Sequence, residues 1–159
     1  MKLLRDVLLV ILALLVDSTF GPKLSVLGIK PDFTLIVLVY LGVFRGQTEA
    51  TLLGFFAGFI QDVYWVSHFG VSALTRSVVS FAVGYCYGKV VTENFLAQAS
   101  IMFAAAFLNN LLYSLLSSGG DISGSFLLFF RYGLPGALYT MALWVALLWI
   151  VLSLRKRRE

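Results

Sequence analysis

Two ionisable residues, Asp62 and Arg76, interrupt hydrophobic segments of this 159-residue chain. A charge in a membrane interior is costly, so such residues pair with one another or mark a functional or partner site. Asp62 lies near the end of one segment, and Arg76 lies about one helical turn into the next. The pattern therefore allows an ion pair at a common depth. Two interpretations follow: a buried ion pair that fixes helix register, and a polar patch that meets a partner helix or a ligand.

Small residues recur at intervals of four on the same two segments. Gly54 and Gly58 precede Asp62, and the next segment carries Ser72, Arg76, Ser80, Gly84 and Gly88. This interval keeps the residues on one helix face, drifting by about 40° per step. Small residues let helix backbones approach closely, either within the chain or across an interface with another protein. The predicted helix-docking face consists of Gly54, Gly58, Arg76, Ser80 and Gly84.

Three further polar residues lie within apolar segments. Asp17, near the outer end of the first segment, is expected to reach the head-group region or to cap the turn at Gly21-Pro22. Asn109 and Asn110 on the fifth segment are expected to form interhelical hydrogen bonds, with ligand binding as the alternative.

The residue inventory gives little basis for catalysis or for a bound cofactor. The chain has one histidine, His68, and one cysteine, Cys86, which are predicted to lie on opposite sides of the membrane and so form no Cys/His dyad. A single cysteine also excludes an intrachain disulfide and a cysteine metal cage. HExxH, GxGxxG and P-loop motifs are absent from the sequence. We expect a protein that is not an enzyme and has no cofactor or metal.

The elements that must position these residues are transmembrane helices. The chain is 60% hydrophobic and 13% charged, with a mean hydropathy of +0.92, against about 25% charged residues in soluble domains. These values predict an all-α bundle of six transmembrane helices in a single membrane domain, residues 1–159. The second segment has about 13 residues where a span needs roughly 20, so it is tilted, buried among other helices or partly re-entrant. The predicted spans are 3–20, 31–44, 49–65, 71–91, 95–116 and 135–154.

The basic residues predict an orientation with both termini in the cytoplasm, because cytoplasmic loops are enriched in Lys and Arg. This placement puts eight basic residues inside and three outside, with Arg76 counted in neither group. The C-terminal cluster 155–158 is interpreted as a stop signal that touches lipid head groups rather than as a nucleic-acid site. The aromatic stretch 126–132 is expected to lie at the outer interface, or alternatively to cover an outward pocket. The inside set is Lys2, Arg5, Arg45, Lys89, Arg155, Lys156, Arg157 and Arg158; the outside set is Lys23, Lys30 and Arg131.

An ordered set of short motifs resembles the bacterial rod shape-determining protein family MreD. Pro31-Asp32 opens the second span and Arg45-Gly46 closes it. The stretch 54–62, GFFAGFIQD, and then Gly70-Val71-Ser72 follow in the order typical of the family. Pro135 before the last span and the basic C-terminus fit the same pattern.

This resemblance implies a multi-pass protein of the bacterial inner, or cytoplasmic, membrane that acts as a non-enzymatic scaffold. It belongs with the cell-elongation machine that synthesises lateral-wall peptidoglycan. The implied partners are the transmembrane helix of MreC, the actin-like MreB, a glycosyltransferase, a transpeptidase and membrane lipids, and they include no nucleic acid. The family fold is similar to that of the substrate-binding subunits of energy-coupling-factor transporters. The alternative function is therefore binding of a small, vitamin-like molecule for a transporter.

Overall fold

The computed structural model describes residues 2–25, 28–64, 69–88, 95–118 and 122–156. The predictions made for His68 and Lys89, and for the side chains of the C-terminal basic cluster, lie outside the described residues and side chains. The described helices are α1 (Lys2–Phe20), α2 (Phe33–Arg45), α3 (Gln47–Tyr64), α4 (Val71–Gly84), α5 (Phe95–Ser117), α6 (Ile122–Leu128), a π-helical turn (Phe129–Gly133) and α7 (Leu134–Lys156).

Each of the six segments that the sequence marks as a span contains a helix, but the fourth is shorter than predicted. It ends at Gly84 rather than at residue 91. The N–H groups of Cys86 and Tyr87 donate to carbonyls only three residues back, at 2.9 and 3.1 Å, which tightens the last turn. Gly88 then adopts a positive φ of 69°, a conformation that glycine accepts readily.

The last span is longer at its start than the sequence indicates. Helix α6 continues through the π-helical turn into α7 without a break. Pro135, the second residue of α7, has no N–H, and in a regular α-helix its ring would clash with the carbonyl of Arg131. The wider π-helical turn lies immediately before this position, where Leu134 donates to the carbonyl of Phe129. The aromatic stretch that was expected to lie at the interface is therefore part of a helix that continues into the final span.

The short helix α2 lies at the centre of the bundle. It contacts α1, α3, α4, α5 and α7, and eight of its 13 residues are buried. Of the three arrangements open from the sequence, the structure shows burial among other helices. One apolar cluster joins α2 to α4, α5 and α7, and a second joins α2 to α1 and α3.

Helices α1–α2 and α3–α4 form two antiparallel hairpins. We call the end where α1 and α3 finish and α2 and α4 begin the capping end. At the opposite end, Gly46 alone connects α2 to α3, with a φ of 97°. By length and composition, two stretches of the described chain are able to cross a membrane, Leu96–Ser117 and Gly124–Trp149; α2 and α4 are shorter apolar helices.

Candidate functional site

Asp62 caps the N-terminus of α4. Its carboxylate accepts hydrogen bonds from the backbone N–H groups of Gly70, Ser72 and Ala73 at 3.0, 3.1 and 2.9 Å. The first N–H groups of a helix have no partner within the helix, and the helix dipole favours a negative charge there. Gly70 has a φ of 91°, which presents its N–H to the carboxylate. Asp62 is 1% exposed, so these bonds satisfy a fully buried anion.

Arg76 pairs with Asp32 rather than with Asp62. Its Nη2 lies 3.1 and 3.0 Å from the two carboxylate oxygens of Asp32, at the start of α2. The side chain of Arg76 is 4% exposed and that of Asp32 is 24% exposed. The Asp62–Arg76 pair that the sequence suggested was therefore wrong. Asp62 is occupied by the backbone of its own hairpin, while Arg76, one turn further into α4, meets α2.

The N-terminus of α2 is capped by two carboxylates. Asp17 accepts from the N–H groups of Phe33 and Thr34, both at 2.8 Å, and also from the Thr34 hydroxyl. Asp32, which follows the buried Pro31, accepts from the Leu35 N–H at 2.8 Å. Of the two roles expected for Asp17, the contact with the turn at Gly21-Pro22 is made by its backbone carbonyl, which accepts from the Gly21 N–H at 3.0 Å, whereas its side chain caps α2. The expectation that Asp17 reaches the head-group region stays a prediction.

Together these contacts form one capping network, defined here as Asp17, Asp32, Asp62 and Arg76. In each hairpin, an aspartate near the end of the first helix caps the start of the second. The Arg76–Asp32 ion pair then ties one hairpin to the other. In addition, the Asp32 N–H donates to the hydroxyl of Thr140 on α7 at 3.3 Å. The network therefore fixes the relative register of α1, α2, α3, α4 and α7 at the capping end.

A second ion pair, which the sequence interpretation missed, lies at the opposite end. Asp6 of α1 is 1% exposed, and its carboxylate oxygens lie 2.8 Å from Nε and 3.0 Å from Nη2 of Arg45 at the end of α2. Arg5 also reaches Asp6, at 3.5 Å, but its side chain is 65% exposed. The sequence did carry a signal for this pair: Asp6 is an acid in the first turns of a leucine-rich helix, where a buried carboxylate requires a partner.

The small-residue face of α3 packs against α4 within the chain. A Cβ atom added at Gly54 would lie 2.5 Å from Ser80 Oγ and 2.8 Å from the Arg76 carbonyl oxygen. At Gly58 it would lie 2.5 Å from the Cα of Ala73. Similarly, a Cβ at Gly84 would meet the backbone of Gln47 at 2.5 Å. All five residues of the predicted docking face are buried, the glycines and Ser80 within this hairpin and Arg76 against Asp32 of α2. They present no surface to a partner, so the predicted docking face was wrong.

Asn109 and Asn110 have different surroundings although they are adjacent. Asn110 donates from Nδ2 to the carbonyl of Gly133, in the π-helical turn, at 2.8 Å. The side chain of Asn109 is buried, and its Oδ1 has no hydrogen-bond partner among the described residues. Ser114, one turn beyond Asn110, donates to the Ser125 carbonyl at 2.6 Å. Helix α5 is thus joined to α6 and the π-helical turn by side-chain-to-backbone hydrogen bonds of Asn110 and Ser114.

The opposite face of α3 is aromatic and exposed. Phe55 and Phe59 stack with ring centroids 6.1 Å apart, and Phe59 meets Phe69 edge-on at 5.6 Å. Phe55 also contacts Phe56 edge-on at 5.8 Å. We call Phe55, Phe56, Phe59 and Phe69 the aromatic face of α3; each is between 41% and 59% exposed. Because the glycine face holds α3 against α4, these rings project from a fixed support.

The chemistry of these groups is electrostatic and structural. The carboxylates accept backbone N–H groups or face a guanidinium. Within the described residues, no group of three or more His, Cys, Asp or Glu side chains is arranged to hold a metal ion.

Comparison with curated proteins gives no match, and neither does comparison with solved structures; the expected likeness to energy-coupling-factor subunits therefore stays a prediction. The family model described as rod shape-determining protein MreD matches residues 2–157, nearly the whole chain. That family consists of membrane-associated shape proteins and is not a known enzyme family. The chain belongs to the MreD family, which implies a role in determining rod shape.

Proposed function

We propose that this protein is a multi-pass scaffold of the bacterial cytoplasmic membrane within the cell-elongation complex, and that it binds the transmembrane helix of MreC on the aromatic face of α3. The family match over residues 2–157 supports the role in rod shape. The choice of face follows from the α3–α4 packing. Since the small residues are used inside the hairpin, a partner helix must meet an outward surface.

The aromatic face suits such a partner. Stacked and edge-on rings give large, rigid contact areas, and each aromatic pair contributes about 0.5–1.5 kcal/mol beyond its buried area. In lipid, helices associate through van der Waals packing rather than through a hydrophobic driving force. A partner helix therefore gains more van der Waals contact from a surface of fixed rings than from mobile lipid chains. The same rings face lipid when the partner is absent.

The capping network supports insertion of the short helices. Helix α2, with 13 residues, is about 20 Å long at 1.5 Å per residue, less than the roughly 30 Å of a hydrocarbon core. Its N-terminal N–H groups cannot be left unsatisfied in such a medium. Asp17 and Asp32 satisfy them, and the surrounding helices shield α2 from lipid. The charge asymmetry read from the sequence supports placing both termini, and the Asp6–Arg45 end, in the cytoplasm.

The test is co-purification with MreC in mild detergent. We expect Phe55→Leu/Phe59→Leu to reduce the recovered MreC by about five-fold or more, because two aromatic contacts of about 0.5–1.5 kcal/mol each are lost while the surface stays apolar. Phe81→Leu is the matched control, since Phe81 is an exposed ring, 55% accessible, on α4. Full MreC recovery by a folded Phe55→Leu/Phe59→Leu variant would refute this docking face.

Complementation in a rod-shaped bacterium whose own family member has been deleted provides the cellular test. The double variant is expected to give round cells and the Phe81→Leu control to give rods. Gly58→Leu is not a suitable variant for testing partner binding, because it would disrupt the α3–α4 packing itself. The vitamin-like alternative gains no support from the cleft between α5 and the π-helical turn, which we call the α5 cleft. Its volume of about 240 Å³ is below the ~300–1,000 Å³ of ordinary small-molecule sites.

A further inference from the structure

A cleft of about 240 Å³ lies between α5 and the π-helical turn. Its lining includes Asn110, Tyr113 and Ser117 of α5, and Leu128, Phe129 and Tyr132 from the other side. The cleft lies towards the C-terminal end of α5, which Asn110 and Ser114 join to the π-helical turn and to α6. π-helical turns are rare and occur frequently at functional sites. Here the turn supplies one wall of the cleft.

The described lining combines apolar side chains with uncharged polar ones. Among the polar ones, Tyr113, Ser117 and Tyr132 carry hydroxyl groups and Asn110 carries an amide. Hydroxyls both donate and accept hydrogen bonds, so this set matches a ligand that itself carries hydroxyls. No carboxylate is among the lining residues that the structure describes. The volume equals about eight waters at ~30 Å³ each, enough for a small head group.

A cation lies beside this cleft. The guanidinium of Arg131 lies 5.4 Å from the centroid of the Tyr132 ring, and Arg131 is exposed. Arginine presents a planar fork of donors that matches a phosphate. An anionic group at this edge would therefore meet Arg131 while an adjoining uncharged group entered the cleft.

The elements that line the cleft also expose apolar side chains. On α6, Phe126 and Leu127 are 49% and 69% exposed, and Phe130 of the π-helical turn is 62% exposed. On α5, Leu116 is 41% exposed. An acyl chain leaving the cleft would lie on these side chains. The ligand that satisfies all three regions is an amphiphile with one phosphate and a hydroxylated, uncharged head group.

We propose that the α5 cleft binds a phospholipid of the phosphatidylglycerol type, with its phosphate at Arg131 and its glycerol head group among the hydroxyls of Tyr113, Ser117 and Tyr132. This inference rests on the proposed membrane insertion, which places the capping end towards the outer surface of the membrane. Binding of this lipid would join α5 to the α6–α7 helix from outside the bundle. Phosphatidylcholine, which carries the same phosphate but a quaternary ammonium in place of the glycerol hydroxyls, is the discriminating comparison.

The experiment is native mass spectrometry of the full chain released from detergent with defined amounts of phosphatidylglycerol or phosphatidylcholine. We expect at least about five-fold more retained phosphatidylglycerol than phosphatidylcholine on the wild type. Arg131→Gln is expected to reduce phosphatidylglycerol retention about tenfold, the effect of one lost charge-assisted contact. Lys23→Gln is the matched control, since Lys23 is another exposed cation, predicted on the same side.

A second variant tests the cleft itself. Ser117→Phe fills it and is expected to abolish the lipid preference, whereas Ser100→Phe, at an exposed position of the same helix, is expected to leave it unchanged. Equal retention of both lipids, or an unaltered preference in both Arg131→Gln and Ser117→Phe, would overturn the proposal. Displacement of the lipid by millimolar soluble glycerol 3-phosphate would show that the cleft binds a free phosphate ester rather than a phospholipid, and would refute the proposal. MreC recovery from the same preparations reports on the scaffold separately.

Discussion

Replacement of Gly58 by alanine tests the α3–α4 packing directly. The added Cβ would lie 2.5 Å from the Cα of Ala73, a backbone atom that cannot rotate away as a side chain can. Overpacking of this kind typically costs about 1–3 kcal/mol. The same change gains up to about 1 kcal/mol of helix propensity, and the net is a loss of about 1–2 kcal/mol. At about 2–4 °C per kcal/mol for a chain of this size, the Tm in detergent should fall by about 2–8 °C.

Gly136→Ala is the matched control, because it makes the same substitution in a helix where space exists. Its added Cβ would meet Asn110 Nδ2 at 3.4 Å and Ile29 at 3.8 Å, which are ordinary contacts. The Tm of Gly136→Ala is expected to stay the same or rise by a few degrees. The assay is thermal unfolding of both variants in one detergent. A Gly58→Ala protein as stable as wild type would show that α3 and α4 are not in backbone contact at Gly58, and the reasoning would fail.

Three further predictions concern the charged contacts, each checked by thermal unfolding in the same detergent. Asp62→Ala removes the acceptor of three N–H groups at the start of α4 and should destabilise the protein by about 2–3 kcal/mol; a loss within 0.5 kcal/mol would argue against the cap. Arg76→Met leaves the Asp32 carboxylate unpaired and should cost about 3–5 kcal/mol, whereas Arg76→Met/Asp32→Asn should recover part of that loss; additive effects would contradict the pair. Arg45→Gln should lower the Tm more than Arg5→Gln does, since only Arg45 contacts Asp6 with two nitrogens; equal effects would refute the assignment.

The capping network explains how this apolar bundle tolerates four charged side chains near one end. Each carboxylate has specific donors within 3.1 Å, either backbone N–H groups or a guanidinium. In a low-dielectric interior, such bonds are strong, and an unpaired member would be costly. The network therefore has a structural role that accounts for Asp17, Asp32, Asp62 and Arg76 without invoking catalysis or transport.

Hydropathy, composition and motif order in the sequence were sufficient for several conclusions. Long apolar segments must become helices where no water satisfies the backbone, so the six helical segments and the family resemblance could be read directly. The four-residue glycine spacing likewise defined a face of close approach. These properties are local or periodic, and a linear sequence carries them.

Partner choice among the polar residues was decided only by the tertiary structure. Spacing placed Asp62 and Arg76 near one another. It could not show that Asp62 accepts hydrogen bonds from the first N–H groups of α4, or that Arg76 forms its ion pair with Asp32, 44 residues earlier. Nor could it show whether the glycine face meets this chain or another one. A buried charge can satisfy itself with any donor that the fold brings within about 3 Å, and only the packing of α1, α2, α3 and α4 determines which donor that is.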